Sequence, residues 1–459
     1  SFVEIKYAVD GIYWTNANAS LDNSRIHHHS DIGLEIYGNN SNPVIDTVNV
    51  HNCNNHGIYM YDAQPRYTHV QSHHNGTYGM YYDYYAHGVA DYLDVHNNGS
   101  YGIRMWNSCS PTIRDSYIHD NNNRGIDCNR YGNPLIQNCT ISGNNGYGFR
   151  YNESGYNGTN YPRIIGCTIE NNSSHGVSFQ YYNTNAAQIT DNIIRNNGSY
   201  GIYFYEHCDA QIARNIIHNN GSHGIWIDNQ NNDPEIHHNI IAHNGGDGIR
   251  RDNGTNSVTI QYNTIYNQSG DGIDFNGGAG TDEISNNIIF NNGGYGMRSD
   301  ANIETFEYNN IYNNQTAQIS NVNNLPSAAW TFVSFTPHGD TADIYLNLSE
   351  DPLLMLSDSL DVSLSNGSPC INIGDASVLD PDGTRSDIGA LYKDSGNPHT
   401  VMAVGFDDQT VSLEWTEVEA DSVVKYNVYY KSADSTNWIF FDDTTGLGMD
   451  VTGLMTVSY

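Results

Sequence analysis

The sequence predicts an all-β chain: a right-handed parallel β-helix, a solenoid of about 13–14 coils, followed by part of a β-sandwich. The first observation is a recurring phrase, an aliphatic residue, an Asn-rich polar turn, then Gly and a second apolar residue. It spans Ile118 to Ile126 and returns at Ile217 to Gly224, Ile241 to Gly248, Ile265 to Gly272 and Ile289 to Gly296. The second is its step: the phrase glycines run from Gly11 to Gly296 at intervals of 22 to 28 residues, the length of one solenoid coil. The third is the two-residue alternation after each glycine, which marks strands with one face buried. That alternation and the shortage of helix formers exclude a helical solenoid.

Each coil reads as strand, turn, strand, turn, too small to fold alone, so coils must stack at about 4.8 Å. One inward column after the glycines is Ile12, Leu34, Ile58, Met80, Ile103, Ile126 and onward to Met297; a second includes Trp14, Ile36, Met60, Tyr82 and Met105. Arg251 interrupts the second column and requires a carboxylate partner or a bulge. Asn192, Asn215, Asn239, Asn263, Asn287 and Asn309 share one register. A side-chain amide both donates and accepts, so these should bond from coil to coil. Cys139 and Cys167 hold the same register and should lie one above the other. The turn glycines answer a bend with positive φ or a lack of room for Cβ.

With 18 Lys+Arg against 51 Asp+Glu, the net charge of -33 argues against nucleic acid and against anionic membrane surfaces. No apolar run approaches the roughly 20 residues of a membrane span, so membrane insertion is not expected. The chain starts without an initiator Met or signal peptide and reads as processed or trimmed. Abundant Asn, Gly and Tyr suit an extracellular protein, cell-surface attached or secreted. Seven scattered Cys are not a disulfide framework. The Asn-x-Ser/Thr sequons follow from the turn rule.

Three regions are expected. Residues 1–320 form the β-helix; after Ile311 the phrase continues, but Gln318 stands where Gly belongs. Residues 321–393, with Trp330, Phe332, Phe335 and a Leu-rich stretch, should cover the open end of the solenoid. Residues 394–459 follow a linker and contain Val411–Trp415 and Tyr426–Tyr430, which alternate like sandwich strands.

The repeats resemble those of pectate-lyase-like and NosD-like β-helix proteins, which implies fold far more than activity. Ser368–Asp375 and Asp380–Ala390 resemble the closing segment of bacterial choice-of-anchor surface proteins. Val411–Trp415, Tyr426–Tyr430, Leu454 and Tyr459 resemble a fibronectin type III module that lacks its last two strands.

Outward positions stack into columns with two aromatic patches: Tyr37, Tyr59, Tyr61, Tyr81 and Trp106, and then Tyr203, Tyr205 and Trp226. Flat rings beside Arg, Asp and Asn suit sugar faces or an opposing protein; packing on an exposed sheet explains them equally. Two clusters qualify as catalytic. Arg104, Asp127 and Arg150 follow one another on successive coils, placing a carboxylate between two guanidiniums; there an Arg could neutralise a uronate. Asp228, Asp252 and Asp274 with Arg250 could form an acid and base pair on a glycosidic bond. Both patterns also suit a ladder of charges that stabilises the sheet.

His27, His51, His73, His96 and His119 form a column that could hold zinc, copper or nickel, or simply stack as neutral rings. Asp380, Asp382 and Asp387 around Gly383 resemble a calcium turn, though an Asp-Gly turn explains the spacing as well; calcium is the one cofactor suggested. The leading expectation is an extracellular scaffold, adhesin or filament-forming subunit that contacts polysaccharide, cell-surface glycan or neighbouring copies through its Tyr/Trp wall. The rival is a polysaccharide lyase or glycoside hydrolase.

Overall fold

The computed structural model describes residues 2–152, 161–180, 187–206, 209–228, 233–253, 257–277, 282–356 and 360–393, and the backbone of five strands between 401 and 452. The first part is a parallel β-solenoid of about 13 turns. Its outer wall is a sheet of 14 parallel strands, from Ile12–Thr15 to Ala317–Ile319. The rest of each coil contributes to a 25-stranded parallel sheet, commonly as two three-residue strands such as Leu135–Gln137 and Thr140–Ser142.

The inward columns are buried as the alternation requires: Ile58, Met80, Ile103, Ile126, Phe149 and Val177 are all inaccessible to solvent. Their register is direct. Tyr59 pairs with Tyr81, and Arg104, Asp127 and Arg150 follow one another on adjacent strands. The phrase glycines answer crowding. A Cβ on Gly125 would lie 2.5 Å from Ile141 Cγ2 and 2.8 Å from the Gly148 carbonyl oxygen, and the backbone there is not left-handed. Left-handed corners fall instead on polar residues such as Asn196 and Asn219, both at φ 55°.

The asparagine register is a continuous hydrogen-bonded ladder. The backbone N–H and Nδ2 of Asn215 both donate to Asn239 Oδ1 at 2.9 Å, and Nδ2 also donates to the Ile189 carbonyl at 2.8 Å. Cys139 and Cys167 extend the column at its beginning, where the Cys139 N–H donates to Cys167 Sγ at 3.4 Å. A second ladder runs through the turn itself, with Asn75, Asn98, Asn121 and Asn144 linked by Nδ2 to Oδ1 bonds of 2.9–3.0 Å. Each amide satisfies backbone groups that burial would otherwise leave without partners.

The first ladder ends on the closing segment. Asn309 donates to Asn347 Oδ1 from N at 3.0 Å and from Nδ2 at 3.1 Å. Asn347 in turn donates to both oxygens of buried Asp343, each at 3.0 Å. The segment therefore continues that ladder by one rung. It also runs back along the side, which was not expected: Val362, Leu364, Cys370, Ile373 and Ile388 cluster with Ile240, Tyr266, Ile288 and Phe290 of earlier coils.

Arg251 takes the first of its two expected forms. It lies inside the solenoid, 1% exposed, with Nη1 donating to Asp282 Oδ1 at 2.5 Å and its guanidinium over the Phe275 ring at 4.2 Å. After residue 400, Val401–Phe406, Thr410–Trp415 and Gly448–Thr452 form an antiparallel sheet, and Tyr426–Tyr430 pairs antiparallel with Ile439–Thr444. Leu454 and Tyr459 lie outside the described residues, as do Cys208 and most of the longer loops after Asn152 and Gln180. Among the described residues no helix is long and apolar enough to cross a membrane.

Candidate functional site

The outer wall carries three columns of side chains, one more than alternation alone indicates. The extra column is the residue just before each phrase glycine: His56, Tyr78, Tyr101, Arg124, Tyr147, His175, Tyr200, His223, Asp247 and Asp271. The chain bends at the glycine, and these groups fold against the first outward column. His56 and Tyr59 lie 6.2 Å apart between ring centroids, Tyr200 and Tyr203 5.6 Å, and His223 and Trp226 6.1 Å.

Around coils four to seven this column creates a basic cluster. Arg104 lies among Tyr78, Tyr81, Tyr101 and Trp106, with ring centroids 4.9–5.7 Å from its guanidinium carbon. Its Nη1 donates to the Tyr78 hydroxyl at 2.5 Å. Arg124 donates to the Tyr101 hydroxyl at 2.9 Å and to Asp127 Oδ1 at 3.0 Å. Arg150 Nε lies 2.9 Å from the same Asp127 oxygen, without the alignment of a hydrogen bond. Asp127 is thus held by Arg124 and Arg150, not by Arg104 and Arg150 as the single column suggested. The side chains of Arg124 and Arg150 remain 18% and 14% exposed. Tyr78 and Tyr101 stack at 5.1 Å with planes 1° apart, and His56 stacks on Tyr78 at 4.7 Å. Burial pushes the His56 imidazole down to about 4, so it is neutral near pH 7.

The acidic cluster is also altered by the pre-glycine column. Arg250 binds Asp252 through Nε and Nη2 at 2.9 and 3.0 Å, and its Nη1 reaches Asp274 at 3.1 Å and Asp247 at 3.2 Å. Asp228, expected in this group, neighbours Asp252 in register but accepts from the Tyr203 hydroxyl at 3.3 Å. Burial followed by repulsion from Asp247 pushes Asp274 up to about 6, against the pull of Arg250 and Arg298. Burial also works to raise Asp252, but hydrogen bonds and charge from Arg250, with Asn276 and Trp226, hold it below the usual carboxylate range. The two carboxyls are therefore shifted in opposite directions, the pattern that separates an acid from a base in one site.

Rings of both aromatic groups lie side by side on the wall, with Trp106 joined to the first through Arg104. Tyr37 lies 5.5 Å from Tyr59 and 5.9 Å from Tyr61, and Tyr59 lies 5.2 Å from Tyr81. Tyr203 lies 4.9 Å from Trp226 and 6.3 Å from Tyr205. The rings are half-buried, leaving faces and edges at the surface. Several hydroxyls are tied to carboxylates, such as Tyr37 to Glu35 at 3.0 Å and Tyr59 to Asp83 at 3.2 Å.

The histidine column stacks on the other sheet. Ring centroids from His27 through His51, His73 and His96 to His119 are 4.7–5.0 Å apart, with planes within 14°. The three calcium candidates behave as turn caps. Asp380 accepts the Asp387 N–H at 3.0 Å, Asp382 accepts the Thr384 N–H at 2.9 Å, and Asp387 accepts the Asn372 and Lys393 N–H groups at 2.6 and 2.5 Å. Among the described residues, the three metal-ligating side chains that converge are Asp94, His96 and His119 instead.

The right-handed beta helix profile matches residues 3–90, 65–205 and 179–328. The chain belongs to the right-handed beta helix family. No curated protein matches this β-helix at a significant level. Among solved structures it is similar to pectate lyase Pel9A, at 16% identity over 81% of this chain and 88% of that one, with a TM-score of 0.37. It is also similar to the periplasmic alginate epimerase AlgG, at 12% identity over 60% and 78%, TM-score 0.34. A third is the A-module of the mannuronan C-5 epimerase AlgE6 of Azotobacter vinelandii, at 15% identity over 61% and 76%, TM-score 0.32. The reading of the site rests on this chain's own residues.

Proposed function

We propose that this β-helix is a polysaccharide lyase acting on a uronate-containing chain laid along the outer wall, outside the cytoplasm. The observation that carries this reading is the grouping of Arg104, Arg124 and Arg150 around one carboxylate and two tyrosine hydroxyls. In a chain of net charge -33 with only 18 basic residues, two half-buried guanidiniums sharing one Asp, with a third on the neighbouring coil held by a tyrosine hydroxyl instead of a carboxylate, make a local site for an anion. The flanking Tyr and Trp faces suit sugar rings.

A guanidinium bound to the sugar carboxylate would stabilise negative charge developing as the C5 proton leaves. Elimination then breaks the C4–O bond, forms the C4–C5 double bond and returns a proton to the departing oxygen. Tyr78 and Tyr101 each accept from an Arg; Tyr78, as a phenolate held by Arg104, would take the C5 proton, and the Tyr101 O–H would give a proton to the departing oxygen. Asp127 positions Arg124 and Arg150. The test is incubation with polygalacturonate and alginate, followed by ultraviolet absorbance of the unsaturated product. Tyr78→Phe and Arg104→Ala should lower kcat at least about 100-fold, the usual scale of acid–base and electrostatic contributions. Turnover unaffected by either substitution, or no product from any uronate polymer, would overturn the assignment.

The acidic cluster supports a second reading, glycoside hydrolysis, because the carboxyls of Asp252 and Asp274, on adjacent strands, are shifted in opposite directions. Reducing ends released from a neutral glycan, and lost in Asp274→Asn, would select it. The enzyme readings stand ahead of the scaffold or adhesin reading because both clusters bring specific acid, base and anion-binding groups together. The proposed organisation remains a β-helix over 1–320, a closing segment over 321–393 and an appended fibronectin type III module over 394–459.

A further inference from the structure

On the sheet away from the basic cluster, Asp94, His96 and His119 bring one carboxylate and two imidazoles together, with donor atoms all within 4.8 Å of one another. Each His presents Nε2 to the same carboxylate: His119 Nε2 lies 3.1 Å from Asp94 Oδ1, and His96 Nε2 lies 3.9 Å from Asp94 Oδ2. Ligands about 2.0–2.1 Å from a tetrahedral zinc are separated by about 3.3 Å, so the three donors need only small adjustments to surround one ion.

The outer partners set the tautomers. His96 Nδ1 lies 2.8 Å from Asn97 Oδ1, and His119 Nδ1 lies 2.7 Å from Asp120 Oδ2. Both acceptors are oxygens, so Nδ1 can carry the hydrogen; any hydrogen that His119 Nε2 shares with Asp94 Oδ1 at 3.1 Å is released when a metal takes that lone pair. A carboxylate or amide behind a ligating imidazole is the usual orienting arrangement at such sites. Tyr117 stacks on His119 at 3.8 Å and braces its ring. The Asp94, His96 and His119 side chains remain 35%, 19% and 16% exposed, which leaves a path for entry.

The same comparison separates this rung from the rest of the imidazole ladder. Two residues before each His, the stacked positions read Arg25, Asn49, Gln71, Asp94 and Tyr117. Only the fourth supplies a carboxylate. We propose that Asp94, His96 and His119 form a binding site for a divalent transition ion of the zinc class, with Asn97 and Asp120 orienting the imidazoles. The fourth position is open to water. The site is independent of the lyase reading and lies on a different sheet.

Calorimetric titration of the chelator-treated full chain with zinc chloride tests it, with cobalt chloride as a spectroscopic probe. One ion should bind per chain, and cobalt should give the visible absorption of a low-coordinate site. Asp94→Asn and His119→Gln should each weaken binding about tenfold or more and remove the cobalt band, while His51→Gln in the same ladder leaves both unchanged. Circular dichroism without metal checks the fold, and His96→Gln replaces any variant that fails it. The site is overturned by absence of zinc heat and cobalt absorption in the parent chain. It is equally overturned by unchanged affinity in Asp94→Asn or by an equal loss in His51→Gln.

Discussion

Arg251 and Asp282 form an ion pair inside the solenoid, 2.5 Å apart, with side chains 1% and 0% exposed. The same Asp282 oxygen accepts the Val258 N–H at 3.0 Å, so the pair joins a wall strand to the connection that follows it. Taking two charges out of water is costly, and removing one of them leaves the other without its counter-charge.

Asp282→Asn should therefore destabilise the chain by about 3–5 kcal/mol, read as a lower denaturant midpoint. Replacing both residues with apolar ones, Arg251→Met with Asp282→Leu, should recover much of that loss. A double variant as weak as the single one would show that the Val258 bond, rather than the charge pair, matters.

The asparagine ladder gives a second expectation. Asn239→Ala removes the oxygen that accepts two bonds from Asn215, and the amide that serves the Ile212 carbonyl at 2.8 Å. Buried groups left without partners cost about 1–3 kcal/mol each. Hydrogen exchange should quicken at Asn215 and on the adjoining coils before it changes at distant ones, because coils contact only their neighbours. Uniform exchange along the rod would contradict a nearest-neighbour ladder.

A third concerns pH. Asp274 is pushed up to about 6 from an unfolded value of about 3.9, so the folded chain binds its proton more tightly. Its stabilising contribution is full below about pH 4 and is lost as pH rises through about 6. Asp274→Asn is neutral throughout, so its Tm relative to the parent should rise between pH 4 and 7. A constant difference would show that the carboxyl titrates normally.

The coil, its inward columns and the stacking of Tyr59 on Tyr81 were legible because a two-residue alternation repeated at a fixed step leaves little freedom. What the pattern hid lay where the alternation breaks. Tyr78, Tyr101, Arg124, His223 and Asp247 precede glycines and read as turn residues, yet the bend returns them to the wall; their common distance of three residues from the outward column was the available signal. Asp94 was missed because the histidine column was read alone, without the position two residues earlier. Asp282 sits 31 residues from Arg251, outside any shared register, and no column could reveal it. The lateral path of the closing segment had no repeat to announce it.

The link from Asn309 through Asn347 to Asp343 gives the rod a direction. Each Asn in that column gives its backbone N–H and an Nδ2 hydrogen bond to the oxygen of the following coil, and this shared direction ends at the Asp343 carboxylate. The carboxylate does for a stack of side chains what an acidic cap does for the first turn of a helix. Reversing the order of coils would set oxygen against oxygen there, so the stack accepts its terminator at one end only.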